Sequence, residues 1–317
     1  MQSRDLKSHH TIHSHQHHCG WDHSFPPQLT IAPGETVEVQ MMDASGGQFN
    51  TESTPADIVA FDFSKTNPTT GPIYVDGAEV GDILKITVHE FQTSGWGWTG
   101  IFPGFGLLSD QFTDPAIHIW KYETIGSSPT ATGLGATIPL KPFVGTIGLA
   151  LAEPGHHSVV PPRRVGGNMD IRDLSAGSIL YLPVEVAGGL LSMGDTHAAQ
   201  GDGEVCGTAI ESPMVGQFTI DLIKATPIKA PQFETFGPVT QHIDRKGYYA
   251  TTGVAPDLMA ATRDAVSSMI DWLERIHQLD PVDAYMLCSV CADLRISEVV
   301  DMPNWVVSCY LPKAVFG

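Results

Sequence analysis

The run Gly194-Asp195-Thr196-His197-Ala198-Ala199-Gln200-Gly201-Asp202-Gly203-Glu204 carries three carboxylates, one imidazole and one amide. Glycine and alanine lie between them and give almost no shielding. Asp195 and His197 are two apart, as are Asp202 and Glu204, so extended backbone projects each pair from one face of a strand. A tight, glycine-bearing turn between the pairs lets them converge on one point. Carboxylate oxygen and neutral imidazole nitrogen suit zinc, and with more oxygens and water they suit magnesium, manganese or calcium. A lone D-x-H is most often a pair of turn residues beside a hydrogen-bonded histidine. Four ionisable groups in so short a run weigh towards a site, because repelling carboxylates need a cation or a shared proton.

The elements that must position these groups read mainly as strands. Gln28 to Ala32 is an apolar strand pattern, and Thr36 to Met41 alternates as a half-buried strand does. Gly71 to Asp82 reads strand, turn and strand start, continuing through Ile83 to Val88. Pro142 to Ala150 predicts a buried strand, and Ile179 to Val184 and Val215 to Ile223 two more. In Gly95 to Gly106 aromatics alternate with glycine and proline, which excludes helix and predicts an aromatic-walled loop that either roofs a pocket or packs on the core. Pro161 to Asp170 predicts an irregular loop carrying Asn168 and Asp170, groups able to finish a metal shell, bind substrate or cap a turn.

Helix enters only after this β-rich part. Leu258 to Ile276 has apolar residues at three- and four-residue spacing behind Pro256, and Asp280-Pro281 opens a second helix, expected to run to Leu294. Trp305 to Leu311 predicts a terminal strand. The expected architecture is mainly β, an antiparallel sandwich or barrel-like body over 18–225. A C-terminal α+β subdomain over 226–317 is integral to the same unit, and 1–17 is a histidine-rich tail. Seven of the 14 histidines fall within residues 9–23. His18, just ahead of the first strand pattern, is anchored near ordered structure and either lines the site or stands as a surface or structural histidine.

Composition narrows the partners. Asp and Glu number 35 against 17 Lys and Arg, a net charge of −18 that repels phosphate backbones and argues against nucleic acid. A hydrophobic content of 42% excludes global disorder, and no run approaches the ~20 apolar residues of a membrane span. The first residues lack the apolar segment of a signal peptide, so a cytoplasmic location is expected. Five sparse cysteines point to reduced thiols, and Cys288 and Cys291, spaced C-x-x-C in a helical-looking run, to core packing.

The assembled segments resemble the acetamidase/formamidase family. Gly71 to Asp82, Gly95 to Gly106, Pro142 to Ala150, Gly166 to Asp170 and Gly194 to Met214 look like its motifs in their usual order. So do Ala284-Tyr285-Met286-Leu287-Cys288 and Leu311-Pro312-Lys313. The resemblance implies a β-rich cytoplasmic amidohydrolase that forms a homo-oligomer, a dimer or larger, and releases ammonia from short amides.

No G-x-S-x-G elbow is present and no cysteine has a persuasive basic neighbour in sequence, so a covalent route lacks a candidate where a metal route has one. Asp195 and His197, with Glu204 or Asp202, are the expected ligands of a divalent cation, zinc first, calcium or magnesium next. His18 is a further candidate ligand. The remaining carboxylate is the general base, Asn168 the oxyanion donor, and Trp96, Trp98 and Phe105 the walls of a small pocket. Two other readings stay open at this point, a metal-stabilised binding or scaffold protein and a Cys206-dependent amidase.

Overall fold

Alternation in Glu35–Met41 puts Val37, Val39 and Met41 on one face, and all three are buried. That strand belongs to a six-stranded sheet in the computed structural model, which describes residues 10–124 and 129–317. The sheet runs His10–Ile12, Glu35–Met41, Met214–Ile223, Ile83–Thr93, Ile179–Pro183 and Gln232–Glu234. Only its first pair is parallel. A second sheet runs Gly166–Asn168, Phe143–Gly148, Leu191–His197, Thr69–Val75 and His17–His18, all antiparallel, with Leu29–Ile31 parallel to Thr69–Val75.

The two sheets face each other across one core. Val39, Ile86, Leu182 and Phe218 from the first meet Ile73, Ile147, Leu191 and Met193 from the second. Burying each such side chain contributes about 1.5–3 kcal/mol before chain entropy is counted. This is the expected mainly antiparallel sandwich. Phe143–Gly148 and Leu191–His197 are buried along their whole length, because other segments cover the face turned away from the sandwich core.

The C-terminal segments pack against the stretch that follows Leu191–His197. The helix Leu258–His277 starts at Asp257, whose side chain accepts from Ala260 N at 2.9 Å, and stops at Gln278 in the left-handed region. Its buried stripe, Ala261, Ala265, Val266, Met269, Ile270 and Leu273, keeps the spacing read in the sequence. The helix Pro281–Cys291 is capped by Asp280 and is buried from Ala284 onward. Its Tyr285, Leu287 and Cys288 share a core with Ala198, Val205, Cys206 and Ile210 of the site segment. Cys288 and Cys291 are both buried core residues.

Four expectations are corrected. The second helix ends before Leu294, because Ala292 turns to extended backbone and Asp293–Glu298 joins a sheet with Trp305–Pro312 and Tyr248–Ala255. The aromatic stretch is a strand rather than a loop: Trp96–Ile101 pairs with Ala116–Lys121. There a Cβ on Gly97 would lie 2.5 Å from Glu211 O, so glycine is the residue that lets the chains approach. The segment 161–170 is not wholly irregular, since Gly166–Asn168 is an edge strand. Finally, His10–Ile12 and His17–His18 are strands, so the described part of the histidine-rich beginning is built into both sheets. Residues 1–9 of the expected tail lie outside the described residues.

Candidate active site

Strand pairing gathers the polar groups. Leu191–His197 carries Asp195 and His197, its neighbour Phe143–Gly148 carries Thr146, and the edge strand Gly166–Asn168 leads into Asp170. An isolated bridge between His197 and Glu211 brings Glu211 beside them. His197 Nδ1 lies 2.9 Å from Gln200 Oε1, and Gln200 Nε2 donates to Asp170 O at 2.7 Å. That arrangement orients the amide and puts a proton on Nδ1. Nε2 then faces Asp195 Oδ1 at 3.2 Å and Glu211 Oε2 at 3.1 Å. A bare lone pair between two carboxylates is repelled, so the position needs a proton or a cation.

The surrounding bonds hold this centre. Asn67 Nδ2 donates to Asp195 Oδ2 at 2.7 Å and to Asn168 Oδ1 at 3.0 Å. Thr146 Oγ1 stands 2.6 Å from Asn168 Oδ1 and 3.0 Å from Asp195 Oδ2. With its carbonyl oxygen engaged, Asn168 keeps its NH2 as the group to offer a ligand. Glu211 Oε1 accepts from Ala209 N at 2.9 Å, while Oε2 makes no well-formed hydrogen bond despite its closeness to His197. Asp170 Oδ1 is likewise buried without a hydrogen-bond partner among the described residues. Asn67, Asp170, Asp195 and Glu204 all have positive φ, between 44° and 53°. For residues other than glycine that conformation costs on the order of 1–3 kcal/mol and collects at functional sites.

Charge balance points the same way. Burial pushes the Glu204 carboxyl well above its ordinary range, Asp170 up to about 7 and Glu211 up to about 8. Burial also works against an ionised Asp195, but the neighbouring His197 holds that carboxyl below its usual value. His197 is the reverse case, where burial opposes protonation and Glu211 and Asp195 together overcome it. Four carboxylates cannot all stay charged in this cavity without protons or a cation. Two donor sets share His197: one adds Asp170 and Asp195, the other Glu204 and Glu211, with ligand atoms in each within 4.8 Å of one another. The orphaned oxygens and the nitrogen between carboxylates fit a divalent cation.

A cavity of about 840 Å³ opens over the cluster, with Asn168, Asp170, Asp195, Glu204 and Glu211 among its lining. Trp98 and Phe105 line it too, and Trp98 Nε1 donates to the buried Asp43 at 3.0 Å. Trp96 does not line this cavity and borders a separate surface depression with Lys121 and Tyr122. Asp202 turns away, half exposed, 3.3 Å from Arg172 Nε. The positive φ of Glu204 breaks the alternation that would have put the two carboxylates on one face.

His18 is bound elsewhere: its Nδ1 donates to Gly20 O at 2.7 Å and its Nε2 accepts from Ser192 Oγ at 2.9 Å. It belongs to neither donor set. Cys206 is fully buried, its Sγ 3.6 Å from Gly100 O and Thr208 O, and burial raises its thiol pKa, the opposite of an activated nucleophile. Sequence reasoning missed Glu211, Asn67 and Thr146. Glu211 leaves a signal, a lone carboxylate between Ala209-Ile210 and Ser212-Pro213-Met214. Asn67 and Thr146 leave none, since only distant pairing brings them in.

A β-sandwich with a buried histidine and carboxylates under an open cavity defines the class, an enzyme with the groups of a hydrolytic site. The chain belongs to the Acetamidase/Formamidase family, whose sequence profile matches residues 3–156 and 150–317. A formamidase of Methylophilus methylotrophus is 28% identical over 95% of this chain and 89% of its own length. An acetamidase of Mycolicibacterium smegmatis is 31% identical over 73% of this chain and 70% of its own. Among solved structures, a gamma lactamase from Delftia acidovorans superposes with a TM-score of 0.88 at 27% identity, covering 95% of this chain and 89% of that one. An acetamidase from Bacillus halodurans gives 0.66 at 29% identity, over 95% and 97%.

Proposed function

We propose that this protein hydrolyses the C–N bond of short-chain amides such as formamide and acetamide, giving the carboxylate and ammonia. The observation that carries the site assignment is His197 Nε2, set between the buried carboxylates of Asp195 and Glu211, two residues that line an open cavity. The resemblance of the chain to formamidases and acetamidases over most of its length supports the substrate class.

The residues that fit a divalent cation are His197 with Asp170 and Asp195, and His197 with Glu204 and Glu211. We take zinc ahead of calcium or magnesium, since imidazole and carboxylate together suit it. When bound, such a cation polarises the amide oxygen and brings the pKa of water towards ~7. With the cation assigned to His197, Asp170 and Asp195, Glu204 lines the cavity as the proton carrier, moving a proton from the attacking water to the departing nitrogen, a role worth about two to four powers of ten. Asn168 offers its NH2 to the developing oxyanion. Trp98, fixed by Asp43, and Phe105 form part of the apolar side of the cavity. Asp202, Trp96 and His18 have no part in this reading. A cytoplasmic homo-oligomer goes with it, on the strength of the family resemblance.

Purified protein, His197→Ala and Glu204→Gln are compared for ammonia release from formamide and acetamide. Loss of more than about a hundredfold in each folded variant is expected. Full turnover in both would place the site elsewhere.

A further inference from the structure

The cavity is larger than a short amide requires. At about 30 Å³ per water in the liquid, acetamide with its four non-hydrogen atoms fills on the order of 100 Å³. The cavity measures about 840 Å³. Beside the polar cluster its lining holds aromatic rings from two segments, Phe61 and Phe63 from one, Phe102 and Phe105 from the other, together with Trp98.

Four of these rings are connected. Trp98 and Phe102 centroids are 6.2 Å apart, Phe102 lies 5.1 Å from Phe61 and 5.5 Å from Phe63, and Phe61 and Phe63 are 4.9 Å apart. Val160, Pro162 and Met169 supply further apolar lining. Folding explains part of this, since Trp98 and Phe102 belong to a small buried core with Phe49 and Ile58. It does not explain the outer part. Phe63 is 58% exposed, Phe105 45% and Val160 42%, so apolar surface stays in water at the cavity rim. A ligand that covers such surface gains affinity roughly in proportion to the area removed from water.

We propose that this apolar half is an acyl subsite, so that the protein takes primary amides whose carbonyl carbon bears an aryl or similarly bulky apolar group. The proposal rests on the amide-hydrolase reading above. Release of ammonia means that the amide nitrogen is unsubstituted, which leaves the carbonyl carbon to carry the bulk. The reaction is otherwise the same. Water adds to the carbonyl carbon, the C–N bond breaks, and the acid and ammonia leave with one proton passed from water to nitrogen.

The test compares kcat/KM for formamide, acetamide, phenylacetamide and N-benzylformamide on the full chain, in the wild type, Phe63→Ala and Phe61→Leu. Phenylacetamide should exceed acetamide by about tenfold or more. The phenylacetamide-to-acetamide ratio should fall about three- to tenfold in Phe63→Ala, the solvent-facing ring least needed for folding, and also fall in Phe61→Leu. N-Benzylformamide, with its bulk on nitrogen, should be poor.

Hydrolysis of the two short amides without preference for phenylacetamide would overturn the subsite and leave the hydrolase reading standing. Preference for N-benzylformamide would do the same by reversing the orientation. An unchanged ratio in both variants, accompanied by a change in oligomer size, would assign the rings to a subunit contact instead. No turnover of any amide would remove both readings together.

Discussion

His197 Nε2 lies 3.1 Å from Glu211 Oε2, and the same two residues are joined by a backbone bridge. The contact is therefore set by the chain path rather than by a flexible side chain finding a partner. Glu211→Gln keeps the shape and the bond from Ala209 N while removing the group that can ionise beside His197. Cation content and ammonia release should both drop, the latter by more than about a hundredfold. A folded variant with full metal and turnover would remove Glu211 from the site.

Two carboxylates two residues apart have opposite expected outcomes. Asp202 is half exposed and does not line the cavity, and the buried Arg172 beside it keeps Asp293 as its partner, so Asp202→Asn should stay within about threefold of wild type in turnover. Glu204→Gln should lose two to four powers of ten. Steady-state kinetics on the pair decides it, and the reverse order would make Asp202 the proton carrier.

His18 gives a stability prediction with a definite sign. Burial lowers its pKa from 6.5 to about 4, so it stays neutral in the fold between Gly20 O and Ser192 Oγ. The unfolded chain takes up a proton below about 6.5, and the stabilisation present above that pH fades as pH falls towards 4. The effect is about 3 kcal/mol at most. Urea midpoints at pH 7 and pH 5 should therefore differ more in the wild type than in His18→Gln. Some slope remains in the variant, because His242 is lowered in the same way, by burial and by Lys141 and Arg172. Equal slopes would contradict the assignment.

The sandwich was legible where local pattern and tertiary context agree. Glu35–Met41 alternates, and Leu258–His277 has both its stripe and the Asp257 cap. Trp96–Ile101 was misread because the glycines that suggest a loop are the residues that let it pair closely. In the site segment the spacing of Asp195 and His197 was visible, but the assumption of regular strand carried on to Asp202 and Glu204, where positive φ turns them apart. Asn67, more than a hundred residues from its partners Asn168 and Asp195, has a role that only strand topology creates.

Gly145 tests how tightly the floor is built. A Cβ there would lie 2.7 Å from both Asp170 Oδ1 and His197 Cε1, closer than real contacts allow. Gly145→Ala should fold with a stability loss of about 1–3 kcal/mol and lose at least about tenfold in turnover by displacing these two groups. Retained kinetics with unchanged stability would show that the floor is looser than described.

The most direct test of the account is ammonia release from formamide and acetamide by one purified sample, with metal content measured before and after chelation. The account predicts that activity and bound cation fall together and that adding back a single divalent cation restores both. Undiminished turnover by protein shown to be metal-free would contradict it.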